Sequence, residues 1–170
     1  MFLEIIILCL WFILLLVFLS LSMVLLIGAP YVPTISNSRG QALKLLGLKP
    51  GQTLIDLGSG DGAMLIVAAQ AGLNAIGYEL NPFLVLVSRW RVRRYKNRVK
   101  VVWGSFWRAD LSAADGIFVF LLDRFMAKLD RKLAQASKGR KLKLVSHAFK
   151  VPGKKPTKEL GAMRLYIYSP

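Results

Sequence analysis

The stretch at residues 53–62, TLIDLGSGDG, constrains the fold of this chain more than any other part of it. Apolar residues lead into three glycines at alternate positions, Gly58, Gly60 and Gly62, and a second apolar segment follows at 63–71. Glycine adopts positive φ angles without a steric penalty and leaves no Cβ in front of a ligand. A helix that starts directly after such a turn points its first N–H groups into the same space. The stretch therefore predicts a strand, a tight turn and a helix, with a binding loop at the carboxyl end of the strand.

Downstream of this loop the sequence alternates between strand and helix patterns. The predicted strands lie at about 53–57, 74–79, 99–103, 116–121 and 141–148, and the predicted helices at about 62–72, 82–96 and 123–137. The strands are near-continuous apolar runs, which is typical of strands covered on both faces. A last strand at 163–168 alternates and is expected to lie antiparallel, at or near an edge. The predicted fold class is α/β, with a Rossmann-like, mostly parallel sheet.

A long apolar segment precedes this domain. Residues 5–27 contain only Ser20 and Ser22 as polar members. As a helix they would measure roughly 34 Å, enough to cross a hydrocarbon core of about 30 Å. A cleaved signal peptide is the alternative, but no basic region precedes the segment, the segment is too long, and GAP at 28–30 is a poor cleavage site. We expect one uncleaved transmembrane helix that anchors a single-pass membrane protein.

The rest of the chain divides into a lead-in and a domain. Residues 1–28 are predicted to form the transmembrane anchor, 29–50 a linker and lead-in helix, and 51–170 the α/β domain. Two prolines stiffen the linker, and Ser36 or Ser38 caps a short helix that runs to Leu46. Because the cluster of basic residues lies after the apolar segment, the positive-inside rule puts the domain on the cytoplasmic side, or on the matrix side in a mitochondrion.

The chain is strongly basic, with 24 Lys and Arg against 9 Asp and Glu and a formal net charge of +15. Such charge attracts anionic lipid headgroups or nucleic acid, or only confers solubility. The apolar segment favours the lipid bilayer as partner and disfavours nucleic acid. Cys9 and His147 are the only residues of their types, so the sequence offers no disulfide framework, no metal site with Cys and His spacing, and no His-based triad.

Two acidic residues narrow the type of ligand that the loop binds. Asp56 lies two positions before Gly58, and Glu79 ends the second predicted strand. This outline fits a dinucleotide such as NAD and also S-adenosylmethionine. A carboxylate in an apolar central strand needs a partner; the cationic amino group of S-adenosylmethionine supplies one, whereas the phosphates of a dinucleotide repel it. The sequence therefore favours S-adenosylmethionine, with Glu79 accepting hydrogen bonds from both ribose hydroxyls.

Two motifs, DLGSGDG at 56–62 and GYELNP at 77–82, carry a family resemblance. With the YVPT lead-in at 31–34 they resemble the class I methyltransferases. More narrowly, they resemble the membrane-anchored protein-lysine methyltransferases of the ATP synthase c-subunit and adenine nucleotide translocase type, and their prokaryotic relatives. The resemblance spans about residues 28–135. It implies the class I methyltransferase sheet and transfer of methyl groups from S-adenosylmethionine to a lysine ε-amine of a membrane protein.

The resemblance also implies a set of cofactor-binding residues. They are Asp56, Gly58, Ser59, Gly60, Asp61, Gly62, Glu79, Leu80 and Asn81, with Tyr31 and Thr34 of the lead-in and with Ser105 and Phe106 after the third strand. Where the family often has an acid near the adenine, Ser105 replaces one hydrogen bond and Phe106 stacks on the base. Asp61 either caps the following helix or lies near the methionine end of the cofactor.

The residues that act on the substrate are less constrained. A lysine must lose its proton before it is methylated, and Asp123 at the carboxyl end of the fourth strand is the candidate acceptor. Its alternative role is a helix N-cap. Trp107 is the second candidate: with Phe106 and Tyr31 it either walls a lysine channel or packs in the core. His147 is expected to be structural.

The end of the fourth strand departs from the family pattern. The family tends to have a turn of small residues and proline there, whereas this chain has Leu122-Asp123-Arg124. Two further hypotheses therefore stay open beside the protein-lysine methyltransferase. One is a methyltransferase that acts on a small molecule or lipid at the membrane, and the other is a non-catalytic, basic membrane-binding module.

Overall fold

The computed structural model describes residues 2–27 and 36–169, without the side chains at 17, 19–27, 36 and 37. The helices are α1 (Phe2–Ile27), α2 (Ser36–Leu46), α3 (Ala63–Gln70), α4 (Pro82–Val92) and α5 (Asp123–Ala136). The strands are β1 (Thr53–Leu57), β2 (Asn74–Glu79), β3 (Val99–Trp103), β4 (Gly116–Val119), β5 (Leu142–His147), β6 (Lys158–Leu160) and β7 (Met163–Tyr168). All predicted elements are present. Two differences stand out: β6 was not predicted, and α4 ends at Val92 and continues as a 3₁₀ turn, Arg93–Tyr95.

The strands form one sheet in the order β3-β2-β1-β4-β5-β7-β6. β3, β2, β1, β4 and β5 are parallel, and β7 runs antiparallel between β5 and β6. The chain builds outward from β1 to β3 and then crosses to β4 on the other side of β1. Ligands of open α/β sheets bind at the carboxyl ends of the strands at such a reversal. The predicted Rossmann-like sheet is confirmed, and its glycine loop lies at this point.

Helices cover both faces of the sheet, which explains its continuous apolar strands. On one face, α2, α3 and α4 pack around a buried cluster that includes Leu54 and Phe118. On the other face, α5 buries Leu129 and Leu133 against Ile117 and its neighbours. Alternate residues of each strand therefore belong to two different cores.

Helix α2 begins at the carboxyl edge of the sheet, since a Cβ on Gly161 in the β6–β7 turn, beside the end of β5, would lie 3.3 Å from Oε1 of Gln41 in this helix. Its last turn lies at the amino edge, because Lys143 Nζ near the start of β5 donates to the carbonyl oxygen of Leu46 at 2.5 Å. Gly116, the first residue of β4, leaves room there: a Cβ on it would lie 2.9 Å from a methyl carbon of Leu48. The amino end of α2 therefore points toward the edge where the glycine loop lies.

The predicted N-terminal helix is present as α1, and its described side chains are all exposed. Within the part of the chain that the structure describes, no helix is long and apolar enough to cross a membrane. The transmembrane anchor stays a prediction.

Candidate functional site

The glycine loop between β1 and α3 is held by β2 and open on its other side. Gly58, Gly60 and Gly62 have φ angles of +100°, +53° and +78°, which favour glycine. The backbone N–H groups of Gly58 and Ser59 donate to the carbonyl oxygen of Tyr78 at 2.9 and 3.0 Å. A Cβ on Gly58 would meet no atom of the described residues within 4 Å. Within the described part of the chain the loop backbone is therefore uncovered on this side, as a ligand cradle requires.

Glu79 joins the glycine loop to the start of α4. Its buried carboxylate accepts a hydrogen bond from Gly60 N–H and another from Asn81 N–H, each at 2.8 Å. Asn81 in turn caps α4, because its Oδ1 accepts from the N–H groups of Phe83 and Leu84 at 2.9 and 3.3 Å. One acid thus fixes the distance between two chain segments that border the crevice. Glu79 ends β2 as predicted, and its hydrogen bonds to the backbone were not predicted. Its role in binding the ribose stays a prediction.

Asp56 lies in the middle of the sheet, and the residue as a whole is only 3% exposed. Burial and the negative charge of Glu79 act on its carboxylate, and no hydrogen bond from a described residue offsets them. Burial, with a second contribution from the negative charge of Glu79, raises the pKa of Asp56 to about 8. An isolated carboxylate in such a place takes up a proton or binds a cation. The site therefore fits a ligand that brings a positively charged group to Asp56 and hydroxyl donors to Glu79.

Ser59 and Gly77 meet where the loop packs on β2. Ser59 Oγ is buried and makes no hydrogen bond within the described part of the chain. Gly77 leaves the room for it, since a Cβ on Gly77 would lie 2.6 Å from both Ser59 Oγ and Leu65 Cδ1. The loop thus depends on a glycine in β2 as well as on its own glycines.

Gly77→Ala is expected to destabilise the fold by about 1–3 kcal/mol, because the added methyl group forces either the loop or α3 to move. Denaturant unfolding measures the change. Gly40→Ala is the matched control, since a Cβ on Gly40 in α2 meets nothing within 4 Å and alanine favours a helix. Equal stabilities of the two variants would contradict the close packing inferred for Gly77.

Asp61 at the tip of the loop pairs with Arg91 of α4. Its Oδ1 also accepts from Ala63 N–H, at the first residue of α3, at 3.1 Å. The N-cap of α3 is Gly62, so the N-cap role considered for Asp61 is wrong, because the chain needs one more residue in the glycine turn before the helix begins. A place near the methionine end of the cofactor stays a prediction. Arg91 was missed, because it is one of several arginines in its helix and only the packing of α4 beside the loop distinguishes it.

Phe106 and Trp107 lie in a 3₁₀ turn, Phe106–Arg108, after β3, and Ser105 is the N-cap of this turn. All three are half-buried, and Ser105 Oγ accepts weakly from Trp107 N–H at 3.4 Å. The rings of Phe106 and Trp107 lie 4.6 Å apart, and Phe125 of α5 lies 6.2 Å from Trp107. Trp107 therefore packs against the core, which was one of the two roles predicted for it. A role in a lysine channel stays a prediction.

Asp123 is the first residue of α5 and is exposed at the carboxyl edge of the sheet. The N-cap is Leu122, and no side chain caps this helix end. The N-cap role considered for Asp123 is therefore wrong. The reason is that the chain is still extended at Leu122, so Asp123 already has its backbone inside the helix.

The carboxyl ends of β4 and β5 bring His147 to Phe120, a contact that no pattern in the sequence indicates. The two rings lie 5.1 Å apart, and Phe149 lies 5.9 Å from Phe120. Burial, and secondly the charge of Arg164, lowers the pKa of His147. Between His147 and Phe149, Ala148 has a φ of +67°. The N–H group of Phe149 donates to the carbonyl oxygen of His147 across it. A short strained turn thus holds the imidazole of His147 at this edge.

Two of the predicted cofactor-binding residues, Tyr31 and Thr34, lie outside the described residues. Leu80 and Asn81 follow Glu79 directly, and Leu80 O accepts from the indole N–H of Trp103 at 3.1 Å. The structure thus brings the residues of the glycine loop together with Asp56, Glu79 and Asn81.

Comparison with known proteins identifies the family. The ANTKMT methyltransferase domain matches residues 56–158. A lysine N-methyltransferase of the ATP synthase c-subunit from Homo sapiens is 36% identical over 106 residues, which are 61% of this chain and 45% of that protein. An adenine nucleotide translocase lysine N-methyltransferase from Mus musculus is 35% identical over 135 residues, 78% of this chain and 58% of that protein. The chain spans about half the length of these relatives.

A solved structure agrees with these matches. The RNA methyltransferase from Salinibacter ruber in complex with S-adenosyl-L-homocysteine has a TM-score of 0.71 and 28% sequence identity, over 81% of this chain and 92% of that one. The matched residues of the family domain include the glycine loop, Glu79 and the strands that surround them. With this sheet and this loop, the chain belongs to the ANTKMT methyltransferase domain family.

Proposed function

We propose that this chain is a membrane-anchored S-adenosylmethionine-dependent methyltransferase that methylates a lysine side chain of a membrane protein. One observation carries the cofactor assignment. The carboxylate of Asp56, buried and unpaired among the described residues, lies beside the glycine loop, whose far side is held by Glu79. The relatives named for the c-subunit of ATP synthase and for the adenine nucleotide translocase support lysine in a membrane protein as the substrate class.

The described residues fit the cofactor by chemistry. Asp56 would accept its cationic amino group, Glu79 its ribose hydroxyls, and the backbone of the glycine loop would lie against its methionine part. Ser59 Oγ, buried without a hydrogen-bond partner among the described residues, offers a further hydrogen bond next to the loop. Bound S-adenosylmethionine supplies an electrophilic methyl group, so the protein needs to align an amine and exclude water.

The chain's own residues have to generate a neutral amine. A lysine ammonium loses its proton more easily when it is desolvated or lies near a carboxylate that accepts the proton. Asp123 has the required position, at the carboxyl edge beyond β4, and its side chain is exposed. Trp107, with Phe106 beside it, would shield the amine from water. We therefore propose Asp123 as proton acceptor and Trp107 as part of the channel wall.

Asp123→Asn is expected to lower the rate of methyl transfer by about two to four orders of magnitude, because it removes the proton acceptor. Binding of the cofactor should stay unchanged. Steady-state transfer at saturating cofactor measures the rate. Glu159→Gln, an exposed acid on β6, is the control and should transfer at the original rate. An unchanged rate in Asp123→Asn would show that another group accepts the proton of the lysine.

Membrane anchoring is proposed from the apolar segment at 5–27. The eight residues between Ile27 and Ser36 reach at most about 30 Å. Since α2 begins at the carboxyl edge of the sheet, the end of the anchor stays within that distance of the edge where the glycine loop lies. We propose that residues 1–28 are the anchor, 29–50 the linker and lead-in helix and 51–170 the domain, which faces the cytoplasm or, in a mitochondrion, the matrix.

Labelled methyl transfer tests the proposal. The full chain, supplied with methyl-labelled S-adenosylmethionine and native membranes, is expected to place the label on lysine of a membrane protein, and Asp56→Ala should abolish the label. Label in extracted lipid or in a small molecule would support the alternative substrates, and label in RNA, the class named for the Salinibacter ruber protein, would contradict a protein substrate. No binding of cofactor in calorimetry would favour a non-catalytic module.

A further inference from the structure

Helix α4 exposes large apolar side chains on the side that faces away from the sheet. Phe83, Leu86 and Trp90 are between 58% and 66% exposed. Their spacing of three and four residues puts them on one face of the helix. The opposite face of α4 is already buried through Val85 and Val92. The exposed residues are therefore not needed to pack this helix on its own domain.

Trp103 extends this surface from the helix onto the sheet. It ends β3, the edge strand, and its ring is 63% exposed. Its indole N–H donates to Leu80 O at 3.1 Å, two residues before α4 begins, so the ring is held beside the first turn of the helix. Phe83, Leu86, Trp90 and Trp103 together are called the α4 face below. It starts directly after Glu79 and Asn81, which border the cofactor crevice.

All charged residues next to the α4 face in the sequence are basic. Between Glu79 and Asp110 the chain has eight Lys or Arg and no Asp or Glu. Arg93 lies over the ring of Trp90 at 4.4 Å, and Arg94 beside it is exposed. Tryptophan prefers the boundary between headgroups and acyl chains, and arginine reaches from there to anionic phosphates. An apolar face flanked by arginines is the pattern of a helix that lies in the membrane interface.

We propose that the α4 face lies on the surface of an anionic lipid bilayer, as a second contact beside the N-terminal anchor. The proposal rests on the membrane location proposed above. Single-stranded nucleic acid also stacks on tryptophan and arginine. A bilayer fits better, because Leu86 in the middle of the face and Phe83 beside it are apolar and require burial rather than stacking. The contact would hold the cofactor crevice at the membrane surface, within reach of lysines just outside the bilayer.

Spin labelling of the full chain tests this contact. In a Cys9→Ser background, Leu86→Cys carries a nitroxide label on the α4 face, and Ala134→Cys carries one on the exposed side of α5, on the other face of the sheet. The protein is reconstituted into vesicles of phosphatidylcholine and phosphatidylserine. We expect the label at 86 to become several-fold less accessible to a water-soluble nickel complex and more accessible to oxygen, while the label at 134 keeps the accessibility of a solvated site. The anchor is common to both variants and does not produce the difference.

The accessibility of the label at position 86 also tests the part played by the arginines and the anionic lipid. Arg93→Gln with Arg94→Gln, or vesicles of phosphatidylcholine alone, should restore access of nickel to position 86. Equal accessibility of both labels in anionic vesicles would overturn the proposal. Protection of position 86 by a single-stranded oligonucleotide in anionic vesicles, with no protection by lipid, would assign the face to nucleic acid and also overturn it.

Two further measurements distinguish a failure of the surface proposal from a failure of the proposed function. Cofactor binding and methyl transfer by the labelled protein report on the enzyme. If the label at 86 stays exposed to water in a protein that still transfers methyl groups, the surface proposal is contradicted and the proposed function is not. Failure of the chain to sediment with vesicles would overturn the surface and the membrane anchor together, and would leave cofactor binding as it is.

Discussion

Glu79→Ala is expected to weaken the binding of S-adenosylmethionine by about two to four orders of magnitude. A hydrogen bond to a charged group is worth about 1.5–3 kcal/mol, and Glu79 is proposed to accept one from each ribose hydroxyl. The substitution also leaves Gly60 N–H and Asn81 N–H without the carboxylate that accepts from both of them. The loop and the start of α4 would then no longer be held at a fixed distance, which adds an ordering cost to binding.

Isothermal titration calorimetry with S-adenosylmethionine measures this effect. Glu79→Gln should lie between the wild type and Glu79→Ala, since an amide keeps one acceptor oxygen and loses the charge. Glu159→Gln, which removes an exposed acid on the edge strand, should bind like the wild type. Circular dichroism at the titration temperature verifies that each variant is folded. Wild-type affinity in a folded Glu79→Ala protein would refute the assignment of Glu79 to the ribose.

Affinity for the cofactor is expected to rise about tenfold per pH unit as the pH approaches 8, and to level off above it. The pKa of Asp56 in the ligand-free protein is raised to about 8, mainly by burial, so the carboxyl group is protonated at neutral pH. The cationic amino group binds the ionised form, and each complex formed below pH 8 must release the proton. At pH 6 the affinity should therefore be about a hundredfold below its maximum.

Asp56→Asn is the control for this pH dependence. It keeps the shape of the side chain and cannot ionise, so its affinity should be low and nearly independent of pH between 6 and 8. Calorimetry in buffers of different ionisation enthalpy counts the released protons directly. We expect about one proton per complex at pH 6.5 in the wild type and none from this site in the variant. Equal pH profiles would show that Asp56 is ionised before the cofactor binds.

The same carboxyl group makes the ligand-free fold less stable at high pH. Its pKa lies above the unfolded value of 3.8, so the folded state binds the extra proton and stability falls as the pH rises from about 4 to 8. Asp56→Asn should lose this slope and be the more stable protein at pH 8. Urea unfolding over this pH range checks the sign. A wild type that gains stability relative to Asp56→Asn on going to pH 8 would contradict the buried, unpaired carboxylate.

Local sequence was enough to predict the order of elements and the loop. β1 to β5 are apolar runs bounded by Gly, Pro and Asn, and parallel strands bring their carboxyl ends to one edge, so Asp56 and Glu79 had to lie near each other. β6 escaped prediction because Lys158-Glu-Leu160 is short, charged and at the edge, and among the described strands it pairs with β7 alone. No periodicity exists in three residues from which such a strand can be recognised.

By itself the sequence determined the α/β fold, the glycine loop, the two acids of the site and the apolar helix at the N-terminus, because each depends on residues close together in the chain. Only the tertiary structure decided the rest. The Asp61–Arg91 pair, the contact of His147 with Phe120 and the backbone hydrogen bonds of Glu79 join residues from separate elements. Only the tertiary structure shows that Phe83, Leu86 and Trp90 are exposed, because apolar residues at helical spacing occur both on buried and on exposed helix faces.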